Sequence, residues 1–310
     1  MTAQPNRIFL RALLVLACLA AGSAVAAGAG VQPARAALVS STNANPDTLA
    51  ISVSVGDHQA CGIRANDAVV CWEHNNLEPS PSRTFLQVSV GKFANCGITI
   101  EGTLECWGPN HWQLPTGTFT QVAVGDDQHP CAIRTDGDMA CWSSDLRDPN
   151  EFAPPEGTFV EVSVSAALID SACGIRTNGT VACWGHPAVY TKTPTGTFRQ
   201  VAAGELHACG IRTDGTVTCW GSSINESLNA PDGKFKQISA GDWTTCGVRA
   251  GGTLACWGGK PSEREALRPP TGTFTEVATG GMGACAIRAD RTVVCWGSGK
   301  PGPPEGAFAP

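Results

Sequence analysis

Fourteen cysteines fall into seven pairs, and the two members of every pair stand ten positions apart. The pairs are Cys61/Cys71, Cys96/Cys106, Cys131/Cys141, Cys173/Cys183, Cys209/Cys219, Cys246/Cys256 and Cys285/Cys295. Seven identical spacings make the chain a repeat protein. Successive first cysteines lie 35, 35, 42, 36, 37 and 39 residues apart, so each repeat is a supersecondary unit rather than a domain. The fifteenth cysteine, Cys18, falls in an N-terminal leader.

The residues inside a pair explain the spacing. Cys209-Gly-Ile-Arg-Thr-Asp-Gly-Thr-Val-Thr-Cys219 is the cleanest copy, with two β-prone arms around Thr213-Asp214-Gly215. That centre suits a hairpin loop with glycine in the left-handed position. Arg212 then faces Thr216 as the hydrogen-bonded closing pair, and pair types alternate outward. Cys209 and Cys219 become a non-hydrogen-bonded pair, close enough across the ladder for a disulfide. Zinc-binding cysteines are set about two to four residues apart, a spacing absent here. Seven disulfides, each stapling one hairpin, are the expectation, and each contributes about 2–3 kcal/mol in the chain-entropy model. Repeats one and seven carry Asp67 and Arg291 at the turn glycine. Each should cost about 1 kcal/mol if the left-handed geometry is kept.

Other features recur in step. A tryptophan follows every second cysteine (Trp72, Trp107, Trp142, Trp184, Trp220, Trp257 and Trp296), a placement expected to pack between neighbouring blades of a ring. An Ile-Arg or Val-Arg pair follows the first cysteine in six copies, Ile98-Thr99 being the exception. The arginine is read as structural, a candidate to bond carbonyls of the next blade. Before each hairpin lies a short alternating strand ending in glycine, as in Phe119 to Gly125, with Ser165 at that place in repeat four. Each repeat thus supplies at least three strands and a polar connection with room for a fourth. High glycine (36) and proline (21) and few charged residues (15%) agree with many short strands and turns.

A second unit, Pro-x-Gly-x-Phe, also occurs seven times if one arginine is allowed for glycine. Its last copy, ending at Phe308, has no hairpin after it, whereas the first strand, Ile51 to Gly56, has Ala50 in place of the phenylalanine. The economical reading is a closed ring whose C-terminus completes the first blade. Closure removes exposed sheet edges, and a linear solenoid would need terminal caps that are absent. The expected fold is an all-β seven-bladed β-propeller over residues 49–310, with one intra-blade disulfide hairpin per repeat.

The pattern G-x-x-x-x-C-x-I-R-x-D-G-T-V-x-C-W-G, best copied at Gly204 to Gly221, resembles the repeat of the regulator of chromosome condensation and beta-lactamase inhibitor protein II superfamily. The paired cysteines with their trailing tryptophan look most like the crinkly-type repeats of certain plant receptor ectodomains, and like repeats in exported bacterial proteins. The resemblance implies a propeller and leaves function open, because one frame carries unrelated activities. It also implies that the loops between strand-ending glycine and first cysteine form the partner-binding rim.

Residues 1–36 read as a secretory signal and leader, with Arg7 and Arg11 before the apolar run Ala12 to Ala20 and cleavage after Ala26 or Ala36. Residues 37–48 read as a linker. The apolar run is too short to span a bilayer, and no other segment could, so the mature chain is expected to be secreted, periplasmic or extracellular with no membrane span. Net charge is -6, and loss of Arg7, Arg11 and Arg35 would leave about -9. So acidic a domain is a poor phosphate binder, which argues against a nucleic-acid partner.

Positions that vary between repeats are free to specialise. The second residue of the glycine-to-cysteine loop is His58, Phe93, Asp127, Leu206, Trp243 or Met282, and repeat four has a longer loop containing Asp170. With Trp112 from a connection that follows a repeat tryptophan, these residues are the candidate partner-binding set. Their mix of aromatic, acidic and apolar groups suits a protein interface. The alternative is a carbohydrate or cell-wall glycan stacked on Trp112, Trp243 and Phe93. A hydrolase with acids gathered in the central channel ranks third. The six histidines lie at irregular offsets and no nucleophile recurs with a base, so no catalytic residue, cofactor or metal site is assigned.

Overall fold

The computed structural model describes residues 50–57, 59–73, 81–92, 94–108, 112–125, 129–143, 152–165, 171–185, 193–260, 268–281, 283–297 and 302–303. The signal, the linker and the C-terminal segment around Phe308 lie outside the described residues. The described strands form seven three-stranded antiparallel sheets, each in simple chain order. Their inner strands are Ala50–Val55, Phe85–Val90, Phe119–Ala123, Phe159–Val164, Phe198–Ala203, Phe235–Ala240 and Phe274–Thr279. The middle strands are Gln59–Arg64, Asn95–Thr99, Cys131–Arg134, Ser171–Arg176, His207–Arg212, Thr244–Arg249 and Gly283–Arg288. The outer strands are Val69–Glu73, Leu104–Trp107, Met139–Cys141, Val181–Gly185, Val217–Gly221, Leu254–Gly258 and Val293–Gly297. The inner strands together line a central channel of about 250 Å³. This is a seven-bladed β-propeller with one disulfide in each blade.

The hairpin register is the one expected from the spacing. Cys209 faces Cys219 and Ile211 faces Val217. Arg212 N–H donates to Thr216 O at 2.8 Å, and Gly215 N–H to Arg212 O at 2.9 Å. Asp214 Oδ1 accepts from Thr216 N–H at 2.9 Å, so the aspartate organises the turn that the glycine permits. Gly215 has φ 91°, and Asp67 and Arg291 keep the left-handed geometry at φ 64° and 70°.

The disulfides join the pairs named from the sequence. Cys61 is bonded to Cys71, Cys96 to Cys106, Cys131 to Cys141 and Cys173 to Cys183. Cys209 is bonded to Cys219, Cys246 to Cys256 and Cys285 to Cys295. Every bond joins partners whose Cα atoms are 4.0 Å apart. The two ends of a bond are not equally covered. The first cysteine, on the middle strand, is buried in every blade, whereas Cys106, Cys141, Cys183, Cys219, Cys256 and Cys295, on outer strands, are half-buried. Cys71 is the exception and is fully buried, within the cluster of Cys61, Ile63 and Phe85 at the seam of blades 1 and 2.

The core is a set of seams between blades. Trp220 of blade 5 packs with Phe198 and Val201 of its own blade and with Cys173 and Ile175 of blade 4. Trp72 does the same between blades 1 and 7, meeting Ala278, Cys285 and Ile287, with Cys295 packed against that cluster. All seven repeat tryptophans belong to such clusters. Fully buried phenylalanines open the inner strands, as with Phe85 and Phe159, and the ring centroids of Phe198 and Trp220 lie 6.1 Å apart. No fourth strand occurs among the described residues. The connection after blade 5 instead holds one turn of 3-10 helix, Ile224–Glu226.

Two details depart from the sequence reading. A bulge breaks the register in every inner strand just after its first residue, as between Phe198 and Gln200. Simple alternation would put Phe198 and Gln200 on one face. The bulge lets Phe198 and Val201 both enter the seam while Gln200 reaches the channel wall. The recurring arginine serves its own blade rather than the next. Arg212 Nη1 donates to Thr195 O at 2.9 Å, in the lead-in to its own inner strand, and the guanidinium lies 4.7 Å from the Phe198 ring centroid. Arg134, Arg176, Arg249 and Arg288 repeat both contacts. Each arginine therefore clamps the Pro-x-Gly-x-Phe unit, which explains why the two motifs travel together.

Candidate functional site

The propeller has two rims of different character. Hairpin turns form one. The other carries the loops between inner and middle strands, which are tight because the strand-ending glycine closes them. Gly204 N–H donates to His207 O at 2.8 Å, and Gly56, Gly91, Gly241 and Gly280 close their loops in the same way. Glycine is needed here for close approach. A Cβ on Gly56 would stand 2.0 Å from Gly91 O, one on Gly241 2.3 Å from Gly280 O, and one on Gly280 2.1 Å from Gly56 O. Blades 1, 2 and 7 thus set a loop carbonyl against the Cα of the previous loop, which fixes the spacing of the rim there.

Leu206 and Trp243 occupy neighbouring loops joined through their backbones, Glu205 N–H donating to Asp242 O at 3.0 Å. Leu206 is half-buried against the Trp220 cluster, and its carbonyl accepts from Ser222 N–H at 2.7 Å. Trp243 is half-buried, with its carbonyl accepting from Gly259 N–H at 2.9 Å. Trp112 stands apart from them. It is half-buried against the cluster of Cys96, Ile98 and Phe119 at the seam of blades 2 and 3, its indole Nε1 buried without a hydrogen-bond partner. His58, Phe93, Asp127, Asp170 and Met282 lie outside the described residues. The loop holding Asp127, from Gly125 to Cys131, is also one residue longer than those of repeats 1, 2, 5, 6 and 7, so Asp127 is not in step with Trp243.

Acids converge where the loop rim meets the channel. Asp57 of blade 1 and Asp242 of blade 6 both reach over Gly281 of blade 7, where a Cβ would stand 2.5 Å from Asp57 Oδ1 and 3.2 Å from Asp242 Oδ2. Burial raises the pKa of Glu205 above the ordinary carboxylate value, Lys260 opposes that shift and the charge of Asp57 adds to it. No cluster of three metal-ligating side chains occurs among the described residues. The single buried histidine among them, His207, is 1% exposed, and Nε2 lies 2.7 Å from Thr245 Oγ1 of the next blade. Burial pushes its pKa down to about 4, so it is a neutral seam residue at neutral pH.

The channel wall contains a polar belt that the repeat reading missed. The second residue after each inner-strand phenylalanine is Gln87, Gln121, Glu161, Gln200, Gln237 or Glu276, with Ser52 in blade 1. Gln200 Nε2 donates to Ile238 O at 3.1 Å while its Oε1 accepts from Ile238 N–H at 2.8 Å. Gln87, Gln121 and Gln237 grip Val122, Val162 and Val277 in the same two-bond manner. Each glutamine thus stands in for a strand-to-strand ladder between adjacent inner strands, which pair only within their own blades. The repeated Gln or Glu at this offset was the available signal.

The regulator of chromosome condensation (RCC1) repeat family matches residues 198–226 and 235–259, which are blades 5 and 6. No curated protein matches the chain. The fold is shared with the CRINKLY WD40 ectodomain of the Arabidopsis thaliana receptor kinase ACR4, at 24% identity and a TM-score of 0.68 over 81% of this chain and 96% of that one. The entire ectodomain of the Physcomitrella patens receptor kinase CR4 gives 24% identity and a TM-score of 0.66, over 81% of this chain and 74% of that one. Prp20p of Saccharomyces cerevisiae gives 14% identity and 0.63, over 83% of each chain. Blades 5 and 6 are thus similar to RCC1 repeats, within a seven-bladed propeller that carries one cysteine pair in every blade.

Proposed function

We propose that the chain is a secreted, non-enzymatic recognition module that binds a protein partner through the loop rim. The observation that carries this reading is the contrast between rigid frame and variable tip. Loop backbones are locked to their neighbours, while the residues they present change from Leu206 to Trp243 on adjacent loops, beside the acids Asp57, Glu205 and Asp242. Half-buried apolar anchors around a charged centre are the composition of a protein interface. Prp20p, of the same fold, binds Gsp1p and histones, and two further neighbours are receptor ectodomains. Seven disulfides suit an oxidising compartment, in keeping with the leader read from residues 1–36. No helix among the described residues is long and apolar enough to cross a membrane.

The test is affinity capture from the envelope and culture fluid of the source cells, with parent chain and with a Phe93→Ala, Asp127→Ala, Trp243→Ala variant in parallel. A protein retained by the parent and lost with the variant, which should melt like the parent, is the expected result. Equal capture by both, or retention only on polysaccharide released by soluble sugar, would refute protein binding through this rim.

A further inference from the structure

The polar belt has glutamine at four positions, glutamate at two and Ser52 at the seventh. Where Gln87, Gln121, Gln200 and Gln237 each offer an acceptor and a donor to the next blade, Glu161 and Glu276 offer a carboxyl group. The acceptor half of the pattern is kept. Val201 N–H donates to Glu161 Oε1 at 3.2 Å, and Val53 N–H to Glu276 Oε1 at 2.9 Å, with Ser52 Oγ a further donor at 3.2 Å. If the two glutamates keep the register of Gln200, whose Nε2 donates to the Ile238 carbonyl, the second carboxyl oxygen faces the carbonyl of Val201 in one case and of Val53 in the other. An ionised carboxylate has no hydrogen to give at that place, and a protonated one does.

We propose that Glu161 and Glu276 are proton-dependent clasps between blades, closed when the second oxygen carries a proton and loosened when it does not. One clasp joins blade 4 to blade 5. The other joins blade 7 to blade 1, the seam at which the ring closes, so proton loss weakens closure itself.

The surroundings hold the proton at unusual pH. Burial pushes Glu161 up to about 8, against the Val201 amide and the Arg199 guanidinium, and Glu276 up to about 7, against the Val53 amide and Ser52. The charge facing Glu161 is Arg199 on the adjoining inner strand of blade 5, whose guanidinium is already committed to the carbonyls of Phe235 and Lys236. Arg134 and Arg176, on the two middle strands packed beside it, lie over Phe119 and Phe159. The blade 1 inner strand against Glu276 contains no titratable residue. Lys236, on the inner strand of blade 6, is exposed, and Arg249 and Arg288 lie over Phe235 and Phe274.

Between pH 4.5 and about 8 the folded chain holds protons at these sites that the unfolded chain releases, so their contribution is full below pH 4.5 and lost as pH rises through about 7 and then about 8. The experiment compares the full chain, disulfides intact, with Glu161→Gln, Glu276→Gln and the double variant. Below pH 4.5 each should melt within a degree or so of the parent, and above pH 8 each should melt a few degrees higher. A difference that stays constant with pH, or variants less stable than the parent above pH 8, would overturn the proposal. Amide exchange of the parent gives a second readout that needs no variant. Corrected for intrinsic rates, Val53 and Val201 should lose protection above pH 8 relative to Val162, Ile238 and Val277, which glutamines hold. Equal pH dependence across all five amides would overturn it as well.

Discussion

The seam between blades 5 and 6 and the seam between blades 7 and 1 use the same repeat positions with different residues. At the first, Trp257 and Phe235 lie 5.8 Å apart, with Arg249 5.0 Å from the Phe235 centroid. Gln200 grips Ile238 by two bonds, Arg199 Nη1 donates to Lys236 O at 2.9 Å, and His207 meets Thr245. At the second, Ala50 stands where the other inner strands have phenylalanine, so that strand brings no ring to the seam. Glu276 replaces the glutamine, and Gly283 and Ala60 stand where His207 and Thr245 do. Among the described residues, the seam between blades 5 and 6 is thus the richer of the two in polar and aromatic ties, whereas ring closure rests on Trp72 packed among Val53, Val55 and Ile287, with Glu276 as its polar tie. A propeller assembled from near-identical units need not be uniformly strong around its circumference.

The comparison breaks most visibly if the aromatic seam is cut. Phe235, 2% exposed, should cost about 3–5 kcal/mol on replacement by alanine, because the cavity takes away the contacts of Trp257 and Arg249 together. Ile287→Ala at the closing seam should cost about 2–5 kcal/mol, with the lower end expected, since it removes fewer buried atoms than the phenylalanine change does. Denaturant unfolding with disulfides intact measures both. If Ile287→Ala proves the more damaging, the closing seam is the stronger of the two.

A smaller effect isolates the polar tie. Thr245→Val keeps the shape and removes the hydroxyl beside His207 Nε2, which should cost about 1–3 kcal/mol for a buried group left without that partner. The pH dependence runs opposite to that of the glutamate clasps. With His207 held near 4 when folded and at 6.5 when unfolded, the unfolded chain takes up the proton first. Stability is therefore undiminished above pH 6.5 and falls as pH drops from there toward 4. His207→Gln should flatten that acid-side loss in a pH series of unfolding midpoints. A loss of the same steepness in the variant would assign it to other groups.

What could be read from the residues was whatever is local. Cysteine spacing and turn chemistry specify the hairpin, and the hairpin carries register, disulfide and the left-handed turn, because all three are settled within eleven residues. How deeply each bond is covered was not local: Cys71 is buried and Cys106 half-buried at the same hairpin position, because a neighbouring blade does the covering. The tryptophan could be placed between blades because seven copies of a large apolar side chain must be buried somewhere regular. The belt was not read, although glutamine or glutamate recurs at this position in six of the seven blades. A polar residue in an alternating strand resembles a solvent face, and only the bulge after Phe198 turns it onto the neighbouring blade. The arginine's partner was hidden for a related reason: Thr195 is near in sequence to the inner strand but reaches Arg212 only once that strand has paired. Of the candidate rim residues, Leu206 and Trp243 come together, because the loop glycines pull adjacent loops into contact. Trp112 belongs to a different seam, a fact no spacing within one repeat could carry.

The smallest effect separates the strength of a blade from the strength of a seam. Asp67 and Arg291, at φ 64° and 70°, hold turns that glycine fills in the other five hairpins, and both lie in the blades that flank the closing seam. Their backbone bonds are those of the glycine turns, with Asp67 N–H donating to Arg64 O at 3.0 Å and Arg291 N–H to Arg288 O at 2.8 Å. The Cβ penalty distinguishes them from the glycine turns, so Asp67→Gly and Arg291→Gly should each gain up to about 1 kcal/mol from its relief, less the entropy that glycine adds to the unfolded chain. If blade and seam are separate sources of stability, the double variant unfolds at higher denaturant while exchange of the Val53 amide, held across the seam by Glu276, keeps its protection relative to Val201. If Val53 becomes better protected as the turns are repaired, strain in the hairpins is transmitted to the closure, and the weakness of that seam begins in the turns rather than in the belt.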